Sequence, residues 1–298
     1  MAQTEISSLP LPMEAAYPEG VAVDPVSGKI YLNSASTGFL VRVDPASGSA
    51  EVVADPLKRT PEELQLPGSY ALGLKVDTQG RTWVAGGRSG SAHVINSHTG
   101  QTLARLTTPP TTGLLNDVVL TENSAFFTDT RRPMLWRAST DSLNDGPLEP
   151  WLSLENSPIA YGEGANLNGI AASHDGKYLI VVHMGHGKLF RISTEDRQIE
   201  QIMIHGGSIE GGDGLLIHGD RLFVVRQPAQ EIVALKLSDD LLHAQEVKRI
   251  SSPVLKWPAT LAISGDRLIV GNSQLNQRPA NTPSLPFDLA IVPLSAFD

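Results

Sequence analysis

The 298-residue chain predicts an all-β fold, a six-bladed β-propeller with four antiparallel strands in each blade. Three observations lead there. Short apolar runs rich in Val, Ile, Leu and Thr recur along the whole chain, separated by turns containing Gly, Pro, Asp and Asn. These runs fall into six similar units starting near residues 19, 72, 116, 168, 213 and 259, spaced 44 to 53 residues apart. Helical signals are few, with residues 60–64 and 140–143 each sufficient for about one turn.

The fourth unit is the plainest. Asn168-Gly169-Ile170-Ala171-Ala172 reaches an Asp175-Gly176 turn and returns through residues 178–182, a hairpin pattern because Asp-Gly supplies positive φ. The first unit runs through residues 18–24, 29–33, 39–44 and 50–53. The second uses 72–77, 81–85, 92–96 and 101–106. The third uses 116–120, 125–129 and 134–138, and the fourth continues through 188–192 and 199–202. The fifth has 213–217, 221–225 and 231–235; the sixth has 259–263, 267–271 and 289–292 and lacks a fourth strand. Residues 3–9 have no place in the first unit. They are expected to complete the last one, closing the ring and removing its exposed edge. No linker or composition shift divides the chain, so residues 1–298 read as one domain.

Composition narrows the partners. Twenty-three Lys+Arg against 32 Asp+Glu give a net charge of −9 with no basic run, which excludes nucleic acid and anionic membrane as expected partners. No apolar run approaches the ~20 residues of a membrane span. The first dozen residues lack a basic start and an apolar stretch, so cytoplasmic localisation is expected, or secretion or a periplasmic location for a chain whose leader has been removed. The absence of cysteine excludes disulfides and thiolate metal sites. A small-molecule substrate is the expected partner.

Aligning the units brings Glu19, Leu72, Asn116, Asn168, Asp213 and Ala259 to one position, the start of the first strand. In a propeller this strand lines the central channel, so the six residues converge on one end of the axis. Four of them carry oxygen donors. Two carboxylates and two amide carbonyls suit a hard divalent cation, whose charge balances that of the acids.

The segments Pro18-Glu19-Gly20, Asn116-Asp117-Val118, Asn168-Gly169-Ile170 and Gly212-Asp213-Gly214-Leu215-Leu216 resemble the senescence-marker-protein/gluconolactonase family of calcium-dependent six-bladed propellers. Diisopropyl fluorophosphatase, paraoxonase and strictosidine synthase share that wider architecture. The resemblance implies that Glu19, Asn116, Asn168 and Asp213 ligate one divalent cation, Ca²⁺ foremost, with Zn²⁺, Mn²⁺ or Mg²⁺ as alternatives. It implies that Asp213 also serves as general base or nucleophile toward a lactone or ester, and phosphotriester hydrolysis would use the same parts. The sugar-binding arginine and glutamate of true gluconolactonases have no match here.

Each second strand returns to the face where the first begins. That face should therefore carry Asn33-Ser34, Gly86-Gly87-Arg88, Thr128-Asp129, His183-Met184, Arg226-Gln227 and Asn272-Ser273. Arg88, Asp129, Arg226, Asn272, Ser273 and Tyr161 are the expected substrate-binding residues, with Tyr70 and Trp257 nearby. The two arginines suit an anionic or carbonyl group. His183 is the expected catalytic proton shuttle; its spacing from His186, in a Gly-containing turn, does not make a zinc motif. Asp117 follows Asn116 directly, so strand alternation turns it away, and it should support the site from behind or serve a structural role. Gly206-Gly207 and Gly211-Gly212 lack the Gly-Lys-Ser/Thr of a phosphate loop, and Ser34, Ser208 and Ser273 lack a nucleophile elbow. Residues 55–70, 152–165 and 273–287 are lid candidates. Two rival readings use the same fold: a non-hydrolytic enzyme or small-molecule binder with a structural cation, and a protein-interaction propeller.

Overall fold

Apolar runs of four to nine residues punctuated by tight turns leave each unit one local solution, an antiparallel meander whose faces pack on the units either side. The computed structural model describes residues 5–54, 71–109 and 113–298. The expected turn at 60–64, the 55–70 lid and Tyr70 lie outside them. Residues 140–143 form a bend rather than a helical turn.

After β1 (Ser7–Pro10), the first unit comprises β2 (Pro18–Val23), β3 (Ile30–Ser34), β4 (Leu40–Val43) and β5 (Ala50–Ala54). The second has β6 (Leu74–Val76), β7 (Arg81–Ala85), β8 (Ser91–Asn96) and β9 (Thr102–Thr107). The third has β10 (Leu115–Leu120), β11 (Ser124–Asp129), β12 (Met134–Ser139) and β14 (Glu149–Ser153), with the two-residue β13 (Gly146–Pro147) added to β9. The fourth has β15 (Leu167–Ala172), β16 (Tyr178–His183), β17 (Lys188–Ser193) and β18 (Ile199–His205). The fifth has β19 (Gly212–His218), β20 (Arg221–Arg226), β21 (Glu231–Leu237) and β22 (His243–Ser251), and the sixth β23 (Pro258–Ser264), β24 (Arg267–Asn272) and β25 (Asp288–Pro293). At the Asp175-Gly176 turn, Gly176 adopts φ +68°.

The first strands β2, β6, β10, β15, β19 and β23 contact one another in sequence, and β23 returns to β2. This ring is the centre of an all-β propeller. β1 pairs with β25, Ser7 opposite Ile291 and Pro10 opposite Asp288, so the N-terminal segment completes the last sheet as expected.

One departure from six separate sheets stands out. β18 and β22 pair in parallel over Met203–His205 and His243–Gln245, fusing the fourth and fifth units into an eight-stranded sheet. Its two halves still face each other across Ile180, Val182, Leu189, Leu222, Val224 and Val233, all fully buried. The reason is the length of these two outermost strands, seven and nine residues, which carries their ends together at the rim. Equivalent apolar clusters fill the other junctions between neighbouring units. At about 1.5–3 kcal/mol for each large apolar side chain, this packing dominates the stability of the ring.

Candidate metal and active site

Five of the six innermost hairpins carry a register shift at the same place: between Pro18 and Val21, Leu115 and Val118, Leu167 and Ile170, Gly212 and Leu215, and Pro258 and Leu261. In each, two residues face one on the partner strand, the geometry of a β-bulge, which re-aims side chains. In the second unit, Leu72 N–H donates to Ala85 O while Ala85 N–H donates to Gly73 O, the same two-against-one pattern. The bulged pairs are Glu19-Gly20, Leu72-Gly73, Asn116-Asp117, Asn168-Gly169, Asp213-Gly214 and Ala259-Thr260.

The second residue of each pair faces the neighbouring unit. A Cβ on Gly20 would lie 2.3 Å from Leu72 O, on Gly169 2.2 Å from Asp213 O, and on Gly214 2.7 Å from Ala259 O. Only glycine permits that approach. Where the pair lacks glycine, a polar side chain bonds across the junction instead. Asp117 Oδ2 accepts from Ile170 N–H at 3.1 Å, while Thr260 Oγ1 accepts from Val21 N–H at 2.9 Å and donates to Glu19 O. Asp117 is thus structural, as its position suggested.

The first residues form the candidate centre. Glu19 and Asp213 are each 3% exposed, and Asn116 and Asn168 are buried too. Glu19 Oε2 is buried without a hydrogen-bond partner. Burial, then the charges of Asp213 and Asp117, raise the Glu19 carboxyl well above its ordinary range, with Lys75 opposing. Burial and Asp117 likewise raise Asp213. Glu19 and Asp213 therefore face each other closely enough to interact through space, although their units are not neighbours.

Residues just beyond the second strands hold the donors from behind. Gln227 Nε2 donates to Asp213 Oδ2 at 2.6 Å, Asn116 Nδ2 donates to Thr130 Oγ1 at 2.8 Å, and Asn168 Nδ2 donates to Met184 Sδ at 3.3 Å. Each amide thereby turns its carbonyl oxygen away from its support. Among the described residues no three His, Cys, Asp or Glu side chains group as a metal site; the candidate set is two carboxylates and two amides. Oxygen donors alone, excess buried negative charge and a partnerless carboxylate oxygen fit a hard divalent cation.

Most of the expected rim residues are engaged locally. Asp129 is fully buried: its Oδ1 accepts from the N–H groups of Leu114, Arg131 and Arg132, and its Oδ2 from Arg132 Nε at 2.6 Å. It anchors the β11–β12 turn, and both its oxygens are engaged there. Tyr161 donates its hydroxyl to Asp129 O at 2.6 Å. Asn272 bonds Lys256 N–H, Val254 O and Asp288, and Ser273 donates to Trp257 O. Arg226 pairs with Glu231 and donates to Glu210 O.

His183 Nδ1 accepts from His186 N–H at 3.2 Å, which leaves Nε2–H to donate to Ala160 O at 3.0 Å. Both ring nitrogens are taken, and burial lowers its pKa. In this geometry the ring braces the loop at Ala160, and its proton is engaged there. Arg88 alone of the expected substrate-binding residues has no bonding partner among the described residues. Thr130 and the bulge glycines are not among the residues expected from the sequence, and Gln227, expected on this face, serves as the support of Asp213. The bulges left their signal in the glycine that follows Glu19, Leu72, Asn168 and Asp213.

A surface cleft of about 740 Å³, lined by Thr121, Asn123 and His174, opens at the opposite ends of the inner strands. A groove of about 450 Å³ lined by Met184, Gly211 and Arg226 lies on the candidate face.

No family model matches the chain, and no curated protein matches it in sequence. Solved structures do match. Virginiamycin B lyase from Staphylococcus aureus is 14% identical over 97% of this chain and 99% of its own, with a TM-score of 0.66. The calcium-binding protein regucalcin from Agrobacterium tumefaciens is 16% identical over 92% and 89%, with a TM-score of 0.64. A PQQ-bound aldose sugar dehydrogenase from Streptomyces coelicolor is 12% identical over 97% and 98%, with a TM-score of 0.62. At these identities the likeness establishes the all-β propeller fold that this chain shares with a lyase, a calcium-binding protein and a dehydrogenase.

Proposed function

We propose that this chain is a divalent-cation-dependent hydrolase of a lactone or ester, of the senescence-marker-protein/gluconolactonase kind. The chain is read as one six-bladed propeller domain, with the eight-stranded sheet counted as two blades joined at their outer edges. The observation that carries the functional reading is the buried, partnerless Oε2 of Glu19, on a carboxyl that the charge of Asp213 helps to raise. Leaving such an oxygen unsatisfied costs free energy that a resident cation would recover.

Glu19, Asn116, Asn168 and Asp213 would hold that cation, Ca²⁺ in preference to a softer metal because every donor is oxygen. When bound, it supplies Lewis acidity toward a carbonyl oxygen. Gln227 fixes Asp213 through Oδ2. Oδ1 is then left to accept a proton from an attacking water or to attack the carbonyl itself. Leu72 and Ala259 give the ring two buried apolar positions, so those two units contribute no oxygen side chain to the centre.

The calcium-binding regucalcin neighbour supports the cation. A second reading, a non-hydrolytic enzyme or binder with a structural cation, draws support from His183, whose nitrogens are both committed to backbone. The test is metal analysis with a pH-drop screen of lactones, aryl esters and phosphotriesters, with and without chelator. Chelator-sensitive turnover is expected; turnover that chelation leaves untouched would contradict the proposal.

A further inference from the structure

The inner strands β2, β6, β10, β15, β19 and β23 carry four ionisable side chains besides His218 at the exposed end of β19. Three are the acids Glu19, Asp117 and Asp213; the fourth is Lys75, in β6. Each unit places a residue at the position of Lys75, three beyond the strand head. In the other five it is Ala22, Val119, Ala171, Leu216 and Ala262, each opposite a large aromatic or aliphatic residue of the second strand, as Lys75 is opposite Trp83. A cation thus stands where five units have an apolar side chain.

β6 lies between β2 and β10. An added Cβ on Gly20 would fall 2.9 Å from Leu74 N, and one on Gly73 would fall 2.7 Å from Asp117 Cα, so the chain around Lys75 is in contact on both sides. Lys75 Nζ donates to Leu74 O at 3.2 Å and lies 4.0 Å from Asp117 Oδ1. The two oxygens of Asp117 accept from the N–H groups of Val118 and Ile170 at 2.8 and 3.1 Å, the pattern of an ionised carboxylate. Buried charge needs a partner, and among the described residues Lys75 is the cation that pairs with Asp117. Burial raises the Glu19 and Asp117 carboxyls, and the charge of Lys75 opposes it at both.

We propose that Lys75 balances the charge of Asp117, so that Glu19 and Asp213 alone present their charges to the candidate cation site and set it for a divalent ion over a trivalent one. The inference rests on that site and names what tunes it. Without Lys75 the inner strands would hold three acids and no balancing cation, which matches a triply charged ion. Terbium(III) resembles calcium in size and in its preference for oxygen donors and differs chiefly in charge. Charge balance is therefore what tells the two ions apart.

The test is isothermal titration of the full chain with calcium chloride and with terbium chloride at about pH 6.5, with circular dichroism to confirm that each variant is folded. Removing a positive charge strengthens the binding of each ion in proportion to its charge. Lys75→Met should therefore bind calcium about tenfold and terbium about thirtyfold more tightly than the wild type. Lys75→Gln, which keeps a donor for Leu74 O, should shift likewise, whereas Lys75→Arg, which keeps the charge, should hold the wild-type ratio of the two affinities. Folded Met and Gln variants that bind both ions within twofold of the wild type, or an Arg variant that shifts as they do, would overturn the proposal and leave the cation site standing. A folded wild type that binds neither ion would remove the site itself, and the proposal with it.

Discussion

Gln227 donates its Nε2–H to Oδ2 of Asp213 at 2.6 Å, across the mouth of the β19–β20 hairpin. Thr130 stands in the same relation to Asn116, and Met184 to Asn168. The residue just past the second strand thus fixes the donor at the head of the first. In known metal sites, removing such a support costs about 10–100-fold in affinity or activity. Gln227→Leu should therefore weaken calcium binding or turnover by about that factor while the fold persists, as read by calcium titration and circular dichroism.

Glu19 and Asp213 bring two carboxyls together in a buried channel, and a cation bound there, as proposed, would relieve the repulsion between them once both are ionised. Glu19→Gln removes one charge and keeps the shape. Its metal-free melting temperature should exceed that of the wild type, and calcium should no longer raise it. For the wild type, calcium at about 100 times its dissociation constant should add about 2.7 kcal/mol. Differential scanning calorimetry with calcium and with chelator reads both effects.

The same pair sets a pH dependence. Both carboxyls are raised in the folded metal-free chain. Their contribution is fully present below about pH 4, the unfolded range of Asp and Glu, and is lost as pH climbs through the raised folded values. The melting temperature of the metal-free wild type should therefore fall relative to Glu19→Gln as pH rises from 5 to 8. Calcium affinity should rise over the same interval, because binding displaces the protons. Melting curves of both proteins across that range check the sign.

Gly169 tests the bulge ring. An added Cβ would meet Asp213 O at 2.2 Å and Leu215 N at 2.9 Å, both backbone atoms that cannot swing aside. Gly169→Ala should cost about 1–3 kcal/mol or more and displace Asp213. Gly146, whose added Cβ meets nothing within 4 Å, is the control, with an expected effect within about 0.5 kcal/mol. Urea denaturation of the two variants gives the comparison.

The repeat was legible because its signal is long-range in sequence but local in chemistry: the same alternation and turn residues return in every unit. The strand from the N-terminus was legible by elimination, since the last unit lacked a partner for β25. The parallel contact of β18 with β22 was not, because pairing between outer edges leaves no alternation to read. At the centre, Glu19, Asn116, Asn168 and Asp213 could be aligned because each heads a strand. The rim was read by position alone, and position does not say whether a side chain is free. Asp129, Asn272 and His183 sit where strands end at the candidate face, yet their polar atoms are consumed by turns and loops that folding brings beside them. The glycine after four of the six strand heads was visible in the sequence, but its meaning depends on how closely neighbouring inner strands approach.

The most direct measurement is equilibrium dialysis with elemental analysis of wild type, Glu19→Gln and Asp213→Asn after incubation with calcium. The account predicts one tightly held calcium per wild-type chain and its loss or marked weakening in both variants, with all three proteins folded. A folded wild type that retains no calcium, or variants that retain it as tightly as the wild type, would contradict the claim that these carboxylates hold a cation on the propeller axis.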